Sequence, residues 1–148
     1  RMLVIGGHDS EGRTVNSLER YDPSTNEWEE EAVAPMPSAR RFVGMTVLDG
    51  KLYAAGGQSE ADNGATSNLV ERYDLATNAW EEAAPMVTAR ETHTVAALDG
   101  KLYVVGGCAI DFLSSVERYD PATNAWEAVA PMAEARIYHA MAVLDGKL

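Results

Sequence analysis

The chain holds a single cysteine, Cys108, among 148 residues. An internal disulfide and a multi-cysteine zinc site are therefore excluded. Phe and His are scarce, at two and three residues. No apolar run approaches the ~18–20 residues that a membrane-spanning helix needs. The opening Arg-Met-Leu-Val-Ile-Gly-Gly offers too short an apolar stretch for a secretory signal. Basic residues are few, 12 against 23 acidic, leaving a net charge of −11. Such a chain repels phosphate backbones and anionic lipid at long range, so neither nucleic acid nor membrane is an expected partner. With 46% apolar and 24% charged residues, the composition is that of a globular domain, expected in the cytoplasm.

What the chain does have is repetition. Gly6-Gly7, Gly56-Gly57 and Gly106-Gly107 recur at intervals of 50 residues. Glu-Arg-Tyr-Asp stands at 19–22, 71–74 and 117–120. Trp28, Trp80 and Trp126 each follow the Tyr of that block by seven residues. Ala-Pro-Met follows at 34–36, 84–86 and 130–132, then Arg40, Arg90 and Arg136, then Leu-Asp-Gly at 48–50, 98–100 and 144–146.

Each unit reads as four short antiparallel strands, with no sustained 3.6-residue periodicity anywhere. In the middle unit, strand A is 43–48 and Asp49-Gly50 is a two-residue hairpin turn. Strand B is the nearly continuous apolar run 51–57, strand C is 69–74 and strand D is 79–83. The C–D turns end in Asn26, Asn78 and Asn124, a residue that tolerates the left-handed region.

The double glycine, the Tyr-to-Trp spacing and the Ala-Pro-Met block resemble the kelch repeat, three times over, across essentially the whole chain. The resemblance implies an all-β fold, a kelch β-propeller of four-stranded blades. The glycines then end strand B where a side chain would crowd a neighbour, and the Trp residues pack between blades. Glu19, Glu71 and Glu117, with the Arg beside each, are expected to form repeated structural hydrogen bonds.

The organisation read from this pattern is one domain, 1–148: strands B, C and D over 1–33, blades over 43–83 and 94–129, and a closing strand A over 140–144. Three blades cannot close a ring, because propellers have about four to eight. Two copies make six, and exchange of the closing strand would remove the unpaired inner edges. The first expected partner is therefore the chain itself, as a two-fold homodimer. A fragment or a designed half-propeller without a selected ligand is the competing origin.

Antiparallel order puts the B–C and D–A loops on one face, and that face carries nearly all the length variation. In kelch substrate adaptors the corresponding face resembles a peptide-binding surface. Candidate ligand contacts are His8 and Arg13 in the first B–C loop, Gln58 in the second, and Arg40, Arg41, Glu91, His93, Tyr138 and His139 where the A strands begin. Arg13, Arg40 and Arg41 form a cationic patch on an acidic body. His93 and His139 are expected as polar groups at a wet channel mouth and not as metal ligands. Cys108 has no adjacent base to make it a nucleophile. The loop carboxylates Asp9, Glu11, Glu60, Asp62 and Asp111 are expected to be solvated. No catalytic residue, cofactor or metal is assigned. The leading reading is a non-catalytic module or scaffold that binds a peptide or protein segment. The alternative is a kelch-fold enzyme acting on a small polar or sugar-like substrate.

Overall fold

The computed structural model describes residues 2–29 and 33–144, so the expected positions 1, 30–32 and 145–148 lie outside the described residues. Every regular element among the described residues is a β-strand. Blade 1 is a three-stranded sheet of β1 (Met2–Ile5), β2 (Leu18–Asp22) and β3 (Glu27–Glu29). A two-residue strand, β4 (Arg40–Arg41), leads into blade 2. Blade 2 contains β5 (Gly44–Leu48) and β6 (Lys51–Ala55), then the loop strands β7 (Gln58–Ser59) and β8 (Ala65–Thr66), then β9 (Val70–Asp74) and β10 (Ala79–Ala83). Its sheet order is β5-β6-β9-β10. Blade 3 repeats it as β11 (Thr94–Leu98), β12 (Lys101–Val105), β13 (Val116–Asp120) and β14 (Ala125–Val129).

The turns follow local chemistry. Asp49 and Gly50 adopt φ of 50° and 73°, and Asp99 and Gly100 adopt 50° and 71°. Both central residues at positive φ make the type I′ turn, whose twist matches the flanking strands, here closing Leu48 on Lys51 and Leu98 on Lys101. The C–D turns end with Asn26, Asn78 and Asn124 at φ of 60°, 52° and 51°.

The cores lie between blades, not within them. Side chains alternate along each strand, so one face of a blade meets the next blade and the other meets the one before. Leu18, Val33 and Met36 of blade 1 pack on Leu52, Ala54 and Tyr73 of blade 2. The opposite face of blade 2, with Tyr53, Ala55, Val70 and Met86, packs on Leu102, Val104 and Tyr119 of blade 3. The Trp residues lock the same seams: Trp80 Nε1 donates to Ala34 O at 2.9 Å and Trp126 Nε1 to Ala84 O at 2.7 Å.

The expected closing strand, 140–144, runs to the edge of the described residues, and Leu144 is a bridge residue. Residues 140–143 make no ladder among the described residues. Among the described residues, strand β12 has β11 and β13 on its two edges, and β1 has β2 on one edge and no strand on the other.

Candidate interaction face

The loop face is assembled where each chain segment enters strand A. Phe42, Thr92 and Tyr138 stand at equivalent repeat positions, all at positive φ: 55°, 53° and 51°. Their backbones form a chain across the blades, Thr92 N–H donating to Phe42 O at 3.3 Å and Tyr138 N–H to Thr92 O at 3.1 Å. Left-handed backbone is uncommon for a Thr or an aromatic, and here it recurs at the same position of successive repeats. Phe42 and Tyr138 come together edge-on, ring centroids 6.3 Å apart, and both are exposed, Tyr138 at 72%.

Arg41 adjoins this aromatic pair. Its guanidinium lies 5.5 Å from the Phe42 ring centroid, and its Nε donates to Gln58 Oε1 at 2.7 Å. Backbone pairing sets the contact, since β4 places Arg41 opposite Gln58. Glu91 stands at the position equivalent to Arg41 and exchanges both backbone hydrogen bonds with Cys108 at 2.9 Å. Burial raises the Glu91 carboxyl above the usual carboxylate range, opposed by the Arg41 charge and by Gln58. Glu91 Oε2 is itself fully buried, so this carboxyl packs beneath the loop face.

The first B–C loop flanks this group. His8 bridges Thr14 across a small hairpin, and Thr14 N–H donates to Glu60 Oε1 of the next loop at 3.2 Å. Hydrogen bonding by the Thr14 side chain and backbone holds Glu60 below its ordinary value, helped by the charge of Arg41. Arg13 is exposed and tied to Asp9 at 2.7 Å and Glu11 at 3.3 Å. The hydrogen bonds from Arg13 hold Asp9 below its ordinary value. Asp9 and Glu60 therefore brace loops; they are not merely solvated. Arg13 shares the face with Arg41, yet its partners lie within its own loop.

Three candidates, Arg40, His93 and His139, leave the site. Arg40 is 1% exposed and cannot meet a ligand. Its guanidinium donates to Gly56 O at 2.6 Å and Leu69 O at 3.0 Å, and pairs with Glu71 at 2.7 Å. Arg90 repeats this with Gly106 O, Ser115 O and Glu117. The cationic patch therefore lacks Arg40. The neighbouring Arg72 and Arg118 point the other way, to Glu81 and Glu127, because adjacent strand residues face opposite sides. So the Glu of each block and the Arg beside it serve different bonds.

His93 is likewise no channel-mouth group. It is buried, wedged so closely that a Cβ on Gly44 would lie 2.6 Å from its Nε2 and one on Gly107 2.8 Å from its Cβ. Burial, reinforced by Arg90, pushes its pKa down to about 3, so the ring is neutral. His139 is half-buried, its Nε2 at 3.0 Å from Thr94 Oγ1. It lines the flank of blade 3 instead of the mouth. The structure thus brings together Arg41, Gln58, Glu91 and Tyr138, with His8 and Arg13 at the margin. Phe42 joins them although its chemistry was not singled out. The signal for it was its repeat position, two residues after the repeated Arg, as for Tyr138.

The paired glycines explain how tightly these loops sit. Gly57 adopts a φ of 92°, and a Cβ there would come within 2.5 Å of Arg41 O. The backbone carrying Arg41 can pass so closely only because position 57 has no side chain.

Comparison with known proteins identifies the class. The family profile described as the KLHDC2/KLHL20/DRC7 Kelch-repeats domain matches residues 1–148. The chain belongs to that kelch-repeat family, and its blades are kelch blades. It is similar to Kelch-like protein 33 of Homo sapiens, 39% identical over 84 residues, covering 55% of this chain and 15% of that protein. It is also similar to Kelch-like protein 40 of Xenopus tropicalis, 40% identical over 81 residues (55% and 12%), and to Kelch-like protein 41a of Danio rerio, 38% over 80 residues (54% and 12%). The matched stretch thus spans 12–15% of the length of these relatives.

Proposed function

We propose that this chain is a non-catalytic protein-interaction module that takes a peptide segment at the loop face, across Arg41, Phe42, Gln58, Glu91 and Tyr138. The observation that carries this reading is the exposed Phe42–Tyr138 pair beside the Arg41 guanidinium. Exposed aromatics beside an Arg are the composition of binding hot spots. An apolar or aromatic anchor fits against the two rings. A carboxylate or backbone carbonyl suits Arg41. Asp9 and Glu60 accept backbone N–H bonds and hold low pKa values, which suits loop bracing and not proton donation to a sugar-like substrate.

The test is selection of a displayed random-peptide library on the immobilised chain. Selected peptides are expected to lose about ten- to a hundred-fold in affinity on Arg41→Ala, the range for a hydrogen bond to a charged group. Tyr138→Ala should weaken them similarly, and Asp99→Asn on the opposite face should leave them unchanged. Peptides indifferent to Arg41 and Tyr138 would overturn the reading.

A second reading concerns the molecule's own flank, which suits self-assembly with a second copy. Tyr103, Val105, Val116 and Met132 line an open cavity of about 560 Å³ on the outer face of blade 3. The same face of blade 2 is filled by blade 3.

A further inference from the structure

We propose that the seam between blades 1 and 2 carries a second binding site on the turn face, a recess that takes the phenol ring of a tyrosine presented by a partner protein and sets its hydroxyl on Arg20.

The recess lies where one repeat departs from the other two. Leu3 stands opposite Arg20 in the β1–β2 pairing. The equivalent pairs are Tyr53 opposite Arg72 and Tyr103 opposite Arg118. Leu3 and Tyr53 face the next blade in the same way. Leu3 packs on the cluster that holds Tyr73, and the Tyr53 ring meets Tyr119 at 5.9 Å. Tyr53 is 2% exposed, so its ring fills the blade 2–blade 3 seam at this level. A leucine stops short of the far edge of such a ring and of its hydroxyl. What remains at the blade 1–blade 2 seam is a recess of about 170 Å³, lined by Leu3 and Arg20 of blade 1 and by Val47, Gly50, Leu52 and Leu75 of blade 2. The blade 2 wall departs from its counterpart as well. Leu75 stands in the C–D turn where the other units have Pro23 and Pro121, and Val47 stands where the next unit has Ala97. Both changes make the wall more apolar.

The polar group agrees. In each blade this arginine donates to a glutamate of the last strand: Arg20 to Glu29, Arg72 to Glu81 and Arg118 to Glu127. Hydrogen bonding by Glu81 and Tyr53 raises Arg72 above its ordinary value, and hydrogen bonding by Tyr103 and Glu127 does the same for Arg118. Leu3 has no hydroxyl to offer Arg20. The Arg20 Nε and Nη2 both go to Glu29, and Nη1 makes no hydrogen bond among the described residues. The Arg20 side chain is 19% exposed, reachable by a ligand yet largely out of water, where a charge-assisted bond is strong.

A tyrosine matches on each count. Its ring suits the apolar walls and its hydroxyl accepts from Arg20, an apolar body with a polar tip. Sites for free small molecules run to about 300–1,000 Å³. This recess is smaller and fits one side chain delivered by a partner. Gly50 at its mouth belongs to the face opposite Arg41 and Phe42, so the site is separate from the loop face.

Methyl-detected NMR of the whole chain tests the assignment, with N-acetyl-tyrosine amide as the probe. Titration should shift the methyls of Leu3, Val47, Leu52 and Leu75. N-acetyl-phenylalanine amide, which lacks the hydroxyl, should bind about two- to tenfold more weakly, the worth of one net hydrogen bond. Arg20→Met should abolish that difference and leave binding of the phenylalanine amide in place. Leu3→Tyr, which supplies the ring from within the chain, should melt at a higher temperature and respond to neither probe. Equal or tighter binding of the phenylalanine amide to the unmodified chain would overturn the phenol assignment. Silence at the four methyl-bearing residues, shifts at Ile110 and Leu113 of the loop face in their place, or shifts that persist in Leu3→Tyr would each overturn the site.

Discussion

Replacing Glu117 by Gln removes one charge and almost no volume, at a site where the structure specifies the cost. The Arg90 and Glu117 side chains are 0% and 3% exposed and lie 2.6 Å apart. Glu117 also accepts Val87 N–H at 2.7 Å and Thr88 N–H at 3.0 Å, so it ties the D–A segment to β13. The Gln amide can keep one oxygen acceptor but must turn an N–H₂ toward either a backbone N–H or the guanidinium. Arg90 retains the carbonyls of Gly106 and Ser115, yet its charge is left buried without a counter-ion. Breaking a buried pair from one side costs about 3–5 kcal/mol, a large part of a domain's ~5–15 kcal/mol. Glu127→Gln is the control. It breaks the Arg118–Glu127 pair, whose side chains are 32% and 58% exposed, where a loss of about 0–1 kcal/mol is expected. Urea unfolding at pH 7.5 and fixed protein concentration should separate the two variants by at least about 2 kcal/mol with unchanged m-values. The double variant Arg90→Met, Glu117→Leu should regain much of the loss, since a packed apolar pair replaces the ions. If Glu117→Gln and Glu127→Gln unfold at the same urea concentration, the buried-pair reasoning is wrong.

The other predictions use the same titration. Trp80→Ala should cost about 3 kcal/mol through lost interblade packing and the bond to Ala34 O; a loss under about 1 kcal/mol would refute the seam described above. His93 is neutral in the fold, with a pKa of about 3 against 6.5 unfolded. The unfolded chain therefore binds the extra proton first, and stability is complete above pH 6.5 and falls as the pH drops toward 3. Between pH 7 and pH 5 the loss should be about 2 kcal/mol, and His93→Gln should flatten it. An equal slope in that variant would assign the acid sensitivity elsewhere.

Much of this structure was legible because its chemistry is local. Asp49-Gly50 and Asp99-Gly100 spell their turns, and the Asn of each C–D turn predicts its own positive φ. What was not legible depends on distant partners. Arg40 reads as a surface cation until Glu71, 31 residues on, is found beneath it. His93 reads as a channel residue, although the same repeat position holds the apolar Val43, a hint of burial. The β7–β8 hairpin reads as plain loop in the sequence, because a five-residue connection, 60–64, joins the paired Ser59 and Ala65. Its strands are only two residues long, too short for alternation to show. The aromatic pair of Phe42 and Tyr138 joins residues 96 positions apart, and only the blade geometry brings them together.

Hydrogen–deuterium exchange of the chain, with and without a library-selected peptide, tests most directly that this kelch module binds through its loop face. Protection should appear at Arg41–Phe42, Gln58–Thr66 and Glu91–Thr92. The turns at Asp49-Gly50 and Asp99-Gly100 on the opposite face should exchange as before. Protection confined to those turns, with the loop face unaltered, would contradict it.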